Sequence, residues 1–319
     1  MPAKYSHGST ARMSNAAKVS PEVKADADGR DPAGDQGPTK PGGANVEPVG
    51  ANVPDVSRDP EASRAPDGLE ARTMSAQPWL IGAAGLVCLA AILAGVYISP
   101  EALLGVAVAA ALVTGYGWPH FLEVPARKTL GAVIALPGVG SAWAAHTFPA
   151  PGYLDATPGF MALGFIAVFV VQLLRGTGQA KRLESTLGSC AGVLLSCLGA
   201  GWIAGARFNG VREMLAVAAV SAAVALLVGL IRWPDRIVAP LGIAMAGLSG
   251  PLAGLVFPGI AVLPAAIFGV VVGAVLVSFR RLATLHTGPM SVPAALGVGI
   301  APVLAVGSLA YFIDKLLIY

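Results

Sequence analysis

The chain has 319 residues, 55% of them hydrophobic and only 12% charged, with a formal net charge of +3. These averages exclude an ordinary soluble domain, and they combine two segments of opposite character. Residues 1–76 contain nine Pro, eight Gly and a single aromatic residue, Tyr5, whereas residues 77–319 hold all five Trp, all ten Phe and all three Cys.

The N-terminal segment, residues 1–76, has too few apolar side chains to offset the entropy lost on ordering, so we expect a disordered cytoplasmic tail. It carries eleven acidic and nine basic side chains, a net charge of −2. This mixture of signs is unlike a polybasic arm that binds nucleic acid. The segment also lacks the apolar stretch of a signal peptide.

The second segment, residues 77–319, contains repeated uncharged runs of the length that a bilayer requires, about 17–25 residues. The pattern predicts an all-α, polytopic helical membrane protein with about nine transmembrane helices. The predicted spans are 79–98, 101–118, 129–146, 158–174, 185–206, 214–231, 237–257, 259–279 and 290–313.

The Lys and Arg residues between these spans predict the orientation. If the N-terminus is cytoplasmic, ten of them lie inside and three, Arg207, Arg212 and Lys315, lie outside. Cytoplasmic loops of membrane proteins carry such an excess. We therefore expect a multi-pass protein of the cytoplasmic (plasma) membrane with its N-terminus in the cytoplasm.

Glycine recurs at four-residue spacing within the spans, and small residues at that interval let two helix backbones approach closely. Packing within one chain is the favoured interpretation, and a homo- or hetero-oligomer through these helix faces is the alternative. The pairs are Gly188/Gly192, Gly201/Gly205, Gly250/Gly254 and Gly269/Gly273. The three cysteines, Cys88, Cys190 and Cys197, fall in apolar runs, which predicts small buried side chains rather than disulfides or zinc ligands.

Ionisable residues are absent from the predicted spans except at their edges, as with His146. Proton relays, ion-coupled transporters and voltage sensors depend on such groups inside the membrane. The pattern disfavours proton-driven transport but leaves open the transport of an uncharged or lipidic solute. We expect no cofactor and no metal site, and the sequence designates no catalytic residue.

Three cytoplasmic loops carry the remaining candidates: RGTGQAKRLE (175–184), RWPDR (232–236) and RRLATLHTG (280–288). One interpretation is that these cations fix the membrane topology and contact anionic lipid. The alternative is that they take part in catalysis or bind a phosphate group specifically. The candidate headgroup- or anion-binding residues are Arg175, Lys181, Arg182, Arg232, Arg236, Arg280, Arg281 and His286.

Three stretches of this domain resemble the phosphatidate cytidylyltransferase family. They are GFIAVFVVQLLRG (164–176), STLGSCAGVLLSCLGAGW (185–202) and GAVLVSFRRLATLHTGPM (273–290). The resemblance implies a polytopic enzyme that makes CDP-diacylglycerol from phosphatidic acid and CTP with a divalent metal.

The last stretch departs from the family signature in its acidic residues. Ser278, Arg280, Arg281, His286 and Gly288 follow the family order, but the Lys-Asp and the closing acidic residues of the signature are missing. Magnesium is held by carboxylates together with substrate phosphates. We therefore expect a relative without the metal site.

The leading functional expectation is a non-catalytic integral membrane protein that binds anionic lipid or a partner membrane enzyme. The alternatives are a lipid-modifying transferase with an atypical site, and a transporter or permease for an uncharged or lipidic solute.

Overall fold

Helices make up most of the described chain. The computed structural model describes residues 67–124, 126–175, 182–208, 212–231, 233–256, 262–285 and 290–317, and these ranges contain ten α-helices. A backbone in hydrocarbon must satisfy its own N–H and C=O groups, and the helix does this within one segment. The helices are α1 Asp67–Ile98, α2 Pro100–Phe121, α3 Arg127–Thr147, α4 Thr157–Leu174, α5 Arg182–Leu198, α6 Ala200–Arg207, α7 Arg212–Gly229, α8 Asp235–Val256, α9 Val262–Thr284 and α10 Val292–Leu317.

Eight stretches of described helix are long and apolar enough to cross a membrane, with α5 and α6 together forming one of them. The remaining predicted span, 129–146, is occupied by α3, whose composition is less apolar and which is not among the eight. A helix is thus present at each of the nine predicted positions. The fold class, an all-α polytopic membrane protein, is confirmed.

The boundaries differ from the prediction at three places. Helix α1 begins at Asp67, before the predicted start of the membrane domain at residue 77, because residues 69–76 are mostly good helix formers. Helix α9 continues to Thr284, which places Arg280 and Arg281 in its last turns rather than in a loop. The fifth span is interrupted at Gly199. Residues 1–66, most of the predicted tail, lie outside the described residues.

The contacts between helices define two ends of the bundle. At the Asp235 end, Asp235 at the start of α8 meets Arg280 near the end of α9. At the Arg207 end, Arg207 at the end of α6 binds the carbonyl oxygens of Ala145 and His146 at the end of α3. Successive spans therefore run in alternating directions between the two ends.

Helix α10 is the centre of the bundle and packs against α1, α2, α5, α6, α7 and α9. Its Ser308 hydroxyl donates a hydrogen bond to the carbonyl oxygen of Leu198, beside the interruption at Gly199. The buried indole of Trp202 donates to the carbonyl oxygen of Val303 on α10. Backbone carbonyls near the interruption and inside α10 thus receive side-chain donors, as a membrane interior requires.

The antiparallel pair α8–α9 uses the predicted glycines. A Cβ atom on Gly269 would overlap the carbonyl oxygen of Ala246, and one on Gly250 would overlap that of Ala265. Elsewhere Gly201 lies against the backbone of Ser308, and Gly192 lies against Trp118. At these four positions the glycines therefore serve packing within the chain, as the favoured interpretation expects.

The cysteines follow the prediction closely. Cys88 and Cys197 are buried, Cys190 is partly buried, and all three are free thiols.

We expect Gly269→Ala to lower the melting temperature of the purified protein, whereas Gly105→Ala does not. A Cβ on Gly105 would meet no heavy atom within 4 Å. Both glycines lie inside helices, so the gain in helix propensity, about 1 kcal/mol, applies to both and cancels. Overpacking at Gly269 costs about 1–3 kcal/mol. Equal melting temperatures in a thermal-shift measurement would show that the α8–α9 contact tolerates extra volume.

Candidate functional site

Two of the three predicted basic loops meet at the Asp235 end. The Nη1 atom of Arg280 donates to Oδ1 of Asp235, and Nε of Arg281 lies 3.3 Å from its Oδ2. Arg280 also donates from Nη2 to the carbonyl oxygen of Ile231, at 3.4 Å. We call Asp235, Arg280 and Arg281 the charge triad, which carries a net charge of +1.

The helix geometry explains why these residues meet. Asp235 is the first residue of α8, where the partial positive charge of a helix N-terminus favours an acid. The arginines lie near the end of α9, where the opposite partial charge favours cations. Because α8 and α9 are antiparallel, these two helix ends are neighbours.

Exposure differs within the charge triad. The side chain of Arg280 is 22% exposed, that of Asp235 37% and that of Arg281 59%. Arg280 is therefore the inner residue, and Arg281 faces outward.

A cavity of about 350 Å³ lies beside the charge triad, among α1, α7, α8, α9 and α10. Its walls are apolar side chains and glycines, among them Leu226, Leu276 and Phe279. Among the described lining residues, the side chains of Arg280 and Thr284 are the exceptions. The described part of the site thus combines a largely apolar lining with the guanidinium group of Arg280.

The first basic loop forms a different cluster, on α4 and α5. Arg182 donates from Nη2 to the carbonyl oxygen of Gln172 at 2.8 Å, and Gln172 donates from Nε2 to the hydroxyl of Ser185 at 2.7 Å. The Nη1 atom of Arg175 is buried without a hydrogen-bond partner among the described residues. Because α4 packs mainly against α3 and α5, this cluster belongs to another part of the bundle.

The other sequence candidates divide as follows. Arg236 is exposed in the first turn of α8. Lys181, Arg232 and His286 lie outside the described residues. Ser278, part of the family-like stretch, is exposed, and its hydroxyl donates to the carbonyl oxygen of Ala274 one turn earlier on α9.

Sequence reasoning missed Gln172 and Thr284, and it noted Asp235 as an acid of the loop RWPDR without pairing it with the arginines. Gln172 is 4% exposed and is a lone amide in an otherwise apolar run, a signal that was available in the sequence. The role of Asp235 had no such signal, because its partners lie 45 and 46 positions further along the chain.

The principal cation at the opposite end has a packing role. Nη1 of Arg207 donates to the carbonyl oxygens of Ala145, His146 and Phe148 at 2.6–3.0 Å. Its guanidinium carbon lies 4.7 Å from the ring centre of Tyr153, a cation–π contact. Arg207 thus caps the C-terminus of α3.

Among the described residues, no three His, Cys, Asp or Glu side chains lie close enough together to hold a metal ion.

Comparison of the chain with protein-family models, with curated proteins and with solved structures finds no match.

We expect Asp235→Asn to lower the melting temperature, because it leaves two guanidinium groups facing each other without an anion. A partly exposed ion pair contributes about 1 kcal/mol, which corresponds to roughly 2–4 °C. Asp155→Asn is the matched control, since Asp155 is exposed and forms no ion pair within the described ranges. The difference between the variants should shrink in high salt. Equal melting temperatures at low salt would assign the charge triad no part in stability.

Proposed function

We propose that this chain is a non-catalytic integral membrane protein of the cytoplasmic membrane that binds anionic lipid through its Asp235 end. The observation that carries the proposal is the unequal distribution of cations between the two ends of the bundle. Among the described residues of α2 to α10 and their connections, the Asp235 end holds Arg127, Lys128, Arg175, Arg182, Arg236, Arg280 and Arg281, and the opposite end holds Arg207, Arg212 and Lys315.

Cations are engaged at both ends, and among the described residues Arg212 and Lys315 are the exposed ones at the opposite end. At the opposite end Arg207 is engaged by three carbonyl groups, and Nζ of Lys315 lies 5.9 Å from the ring centre of Tyr311. At the Asp235 end, Arg127, Lys128 and Arg236 are exposed. Each exposed cation at a membrane surface contributes about 1 kcal/mol toward anionic lipid. The positive-inside rule then supports a cytoplasmic location for the Asp235 end and the N-terminus.

The non-catalytic part of the proposal rests on the acidic residues. Nucleotidyl transfer requires metal ions that neutralise phosphate charge, and carboxylates hold those ions. Asp235, the acid nearest the family-like arginines, is occupied by Arg280 and Arg281. We propose a distant relation to the phosphatidate cytidylyltransferases, with cation-based lipid binding retained and the metal chemistry lost.

We expect the double variant Arg236→Gln/Arg281→Gln to weaken the affinity for phosphatidylglycerol by roughly tenfold to thirtyfold at low salt. The control Arg212→Gln/Lys315→Gln removes the same charge from the opposite end and should change the affinity little. Titration in mild detergent, followed by native mass spectrometry, measures both. Equal losses would contradict a lipid site at the Asp235 end. Magnesium-dependent formation of CDP-diacylglycerol by the unmodified protein would contradict its non-catalytic character.

The orientation has its own test, by cysteine accessibility in intact cells. In a chain whose three native cysteines are replaced by serine, Ala150→Cys should react with a membrane-impermeant maleimide. Gly178→Cys should react only after the membrane is permeabilised. The reverse pattern would place the Asp235 end outside.

A further inference from the structure

The cavity beside the charge triad has the character of a hydrocarbon-binding site. A buried water needs two to four polar partners, whereas among the described residues the polar side chains at the cavity are those of Arg280 and Thr284 at one end, and the other lining side chains are apolar. Leu226, Leu276 and Val298 are among the residues that line it. An apolar chain suits these walls better than water does.

The depth of the cavity corresponds to one leaflet. Along α9 its lining extends from Thr284 back to Leu276, about 12 Å at 1.5 Å per residue. On α10 the lining reaches Pro302, about 15 Å from the start of that helix at Val292. Half of a hydrocarbon core of about 30 Å is about 15 Å. A ligand with its polar group at Arg280 and its chain inward would therefore lie as a lipid of that leaflet lies.

The volume favours one chain over two. About 350 Å³ is near the lower limit of ligand pockets, which span about 300–1,000 Å³. A volume this small suits one acyl chain better than two chains side by side.

The charge at the mouth favours an anion. Arg280 already holds the carboxylate of Asp235, and the guanidinium group has more N–H donors than its contacts with Asp235 and Ile231 use. With Arg281 beside it, the charge triad retains one uncompensated positive charge. A second carboxylate at this position would meet an N–H donor of Arg280 that these contacts leave over.

We infer that the cavity binds a single-chain anionic amphiphile of the fatty-acid class, with its acyl chain among α1, α7, α9 and α10 and its carboxylate on Arg280. This inference deepens the proposed binding of anionic lipid at the Asp235 end, on which it rests. It adds a defined pocket to a surface that otherwise attracts lipid by charge alone.

The test uses the full chain in phosphatidylcholine nanodiscs with a diazirine-bearing hexadecanoate as the photoaffinity probe. We expect crosslinks, mapped by mass spectrometry, on cavity residues of α7, α9 and α10. Unlabelled hexadecanoate should compete, and hexadecanol, which has the same chain without the charge, should compete at least tenfold less well.

Two variants test separately the space for the acyl chain and the contact between the carboxylate and Arg280. Gly229→Leu adds volume at the cavity wall, where a Cβ would lie 3.5 Å from Cδ of Arg280, and should reduce cavity labelling at least tenfold. Gly105→Leu, directed into open space, is its control. Arg280→Gln keeps the walls and should reduce labelling by about tenfold. If Gly229→Leu proves unstable in a thermal-shift measurement, Arg280→Gln and competition on the unmodified protein still test whether the cavity binds the amphiphile.

Labelling that is spread over the exposed face of α4, or that hexadecanoate and hexadecanol reduce equally, would overturn the inference. The surface variants Arg236→Gln/Arg281→Gln distinguish this failure from failure of the proposed function. If they weaken phosphatidylglycerol binding while cavity labelling stays nonspecific, the proposed function stands and the pocket does not bind the amphiphile. If cavity labelling is specific while the double variant Arg236→Gln/Arg281→Gln leaves phosphatidylglycerol binding unchanged, the inferred pocket is supported and the proposed surface site is contradicted.

Discussion

The close approach of neighbouring backbones to α10 is the constraint on which the rest of the bundle depends. Lipid tails are as apolar as leucine, so helices in a membrane associate through tight packing and interhelical hydrogen bonds rather than through the hydrophobic effect. A Cβ on Gly297 would overlap the backbone of Gly117 on α2, and one on Gly299 would overlap the carbonyl oxygen of Ile81 on α1. Gly201 on α6 makes a similar approach to Ser308. These crossings fix three helices around α10, and the remaining helices pack on that framework.

The framework gives the two ends of the bundle different electrostatic characters. At the Arg207 end, the guanidinium group of Arg207 contacts the ring of the buried Tyr153 and the backbone carbonyls of α3, so this cation is part of the packing. At the Asp235 end, one carboxylate is shared between two arginines, and further cations are exposed. The same residue type therefore has a structural role at one end and a surface role at the other. Arg280 has a structural role, because it binds Asp235, and it also lines the cavity beside the charge triad.

The helices could be predicted from the sequence because length and hydropathy are local properties, and the glycine spacing similarly indicated close packing. The site could be predicted only in part. The spacing of charges identified Arg280 and Arg281, but their junction with Asp235 depends on the antiparallel crossing of α8 and α9, which no local pattern records. The predicted end of the eighth span at residue 279 excluded both arginines, although α9 continues to Thr284. The charged side chains mark the limit of the apolar run, whereas the helix ends later.

The cap on α3 has a consequence for the biosynthesis of the protein. Helix α3 is less apolar than the eight candidate spans, and the carbonyls at its end are bound by Arg207, which lies about 60 positions later in the chain. A ribosome makes α3 and α4 before it reaches that arginine. During this interval the end of α3 must rely on other partners, such as interfacial water. The capping of α3 is therefore completed late in synthesis, after α5 and α6 have been made.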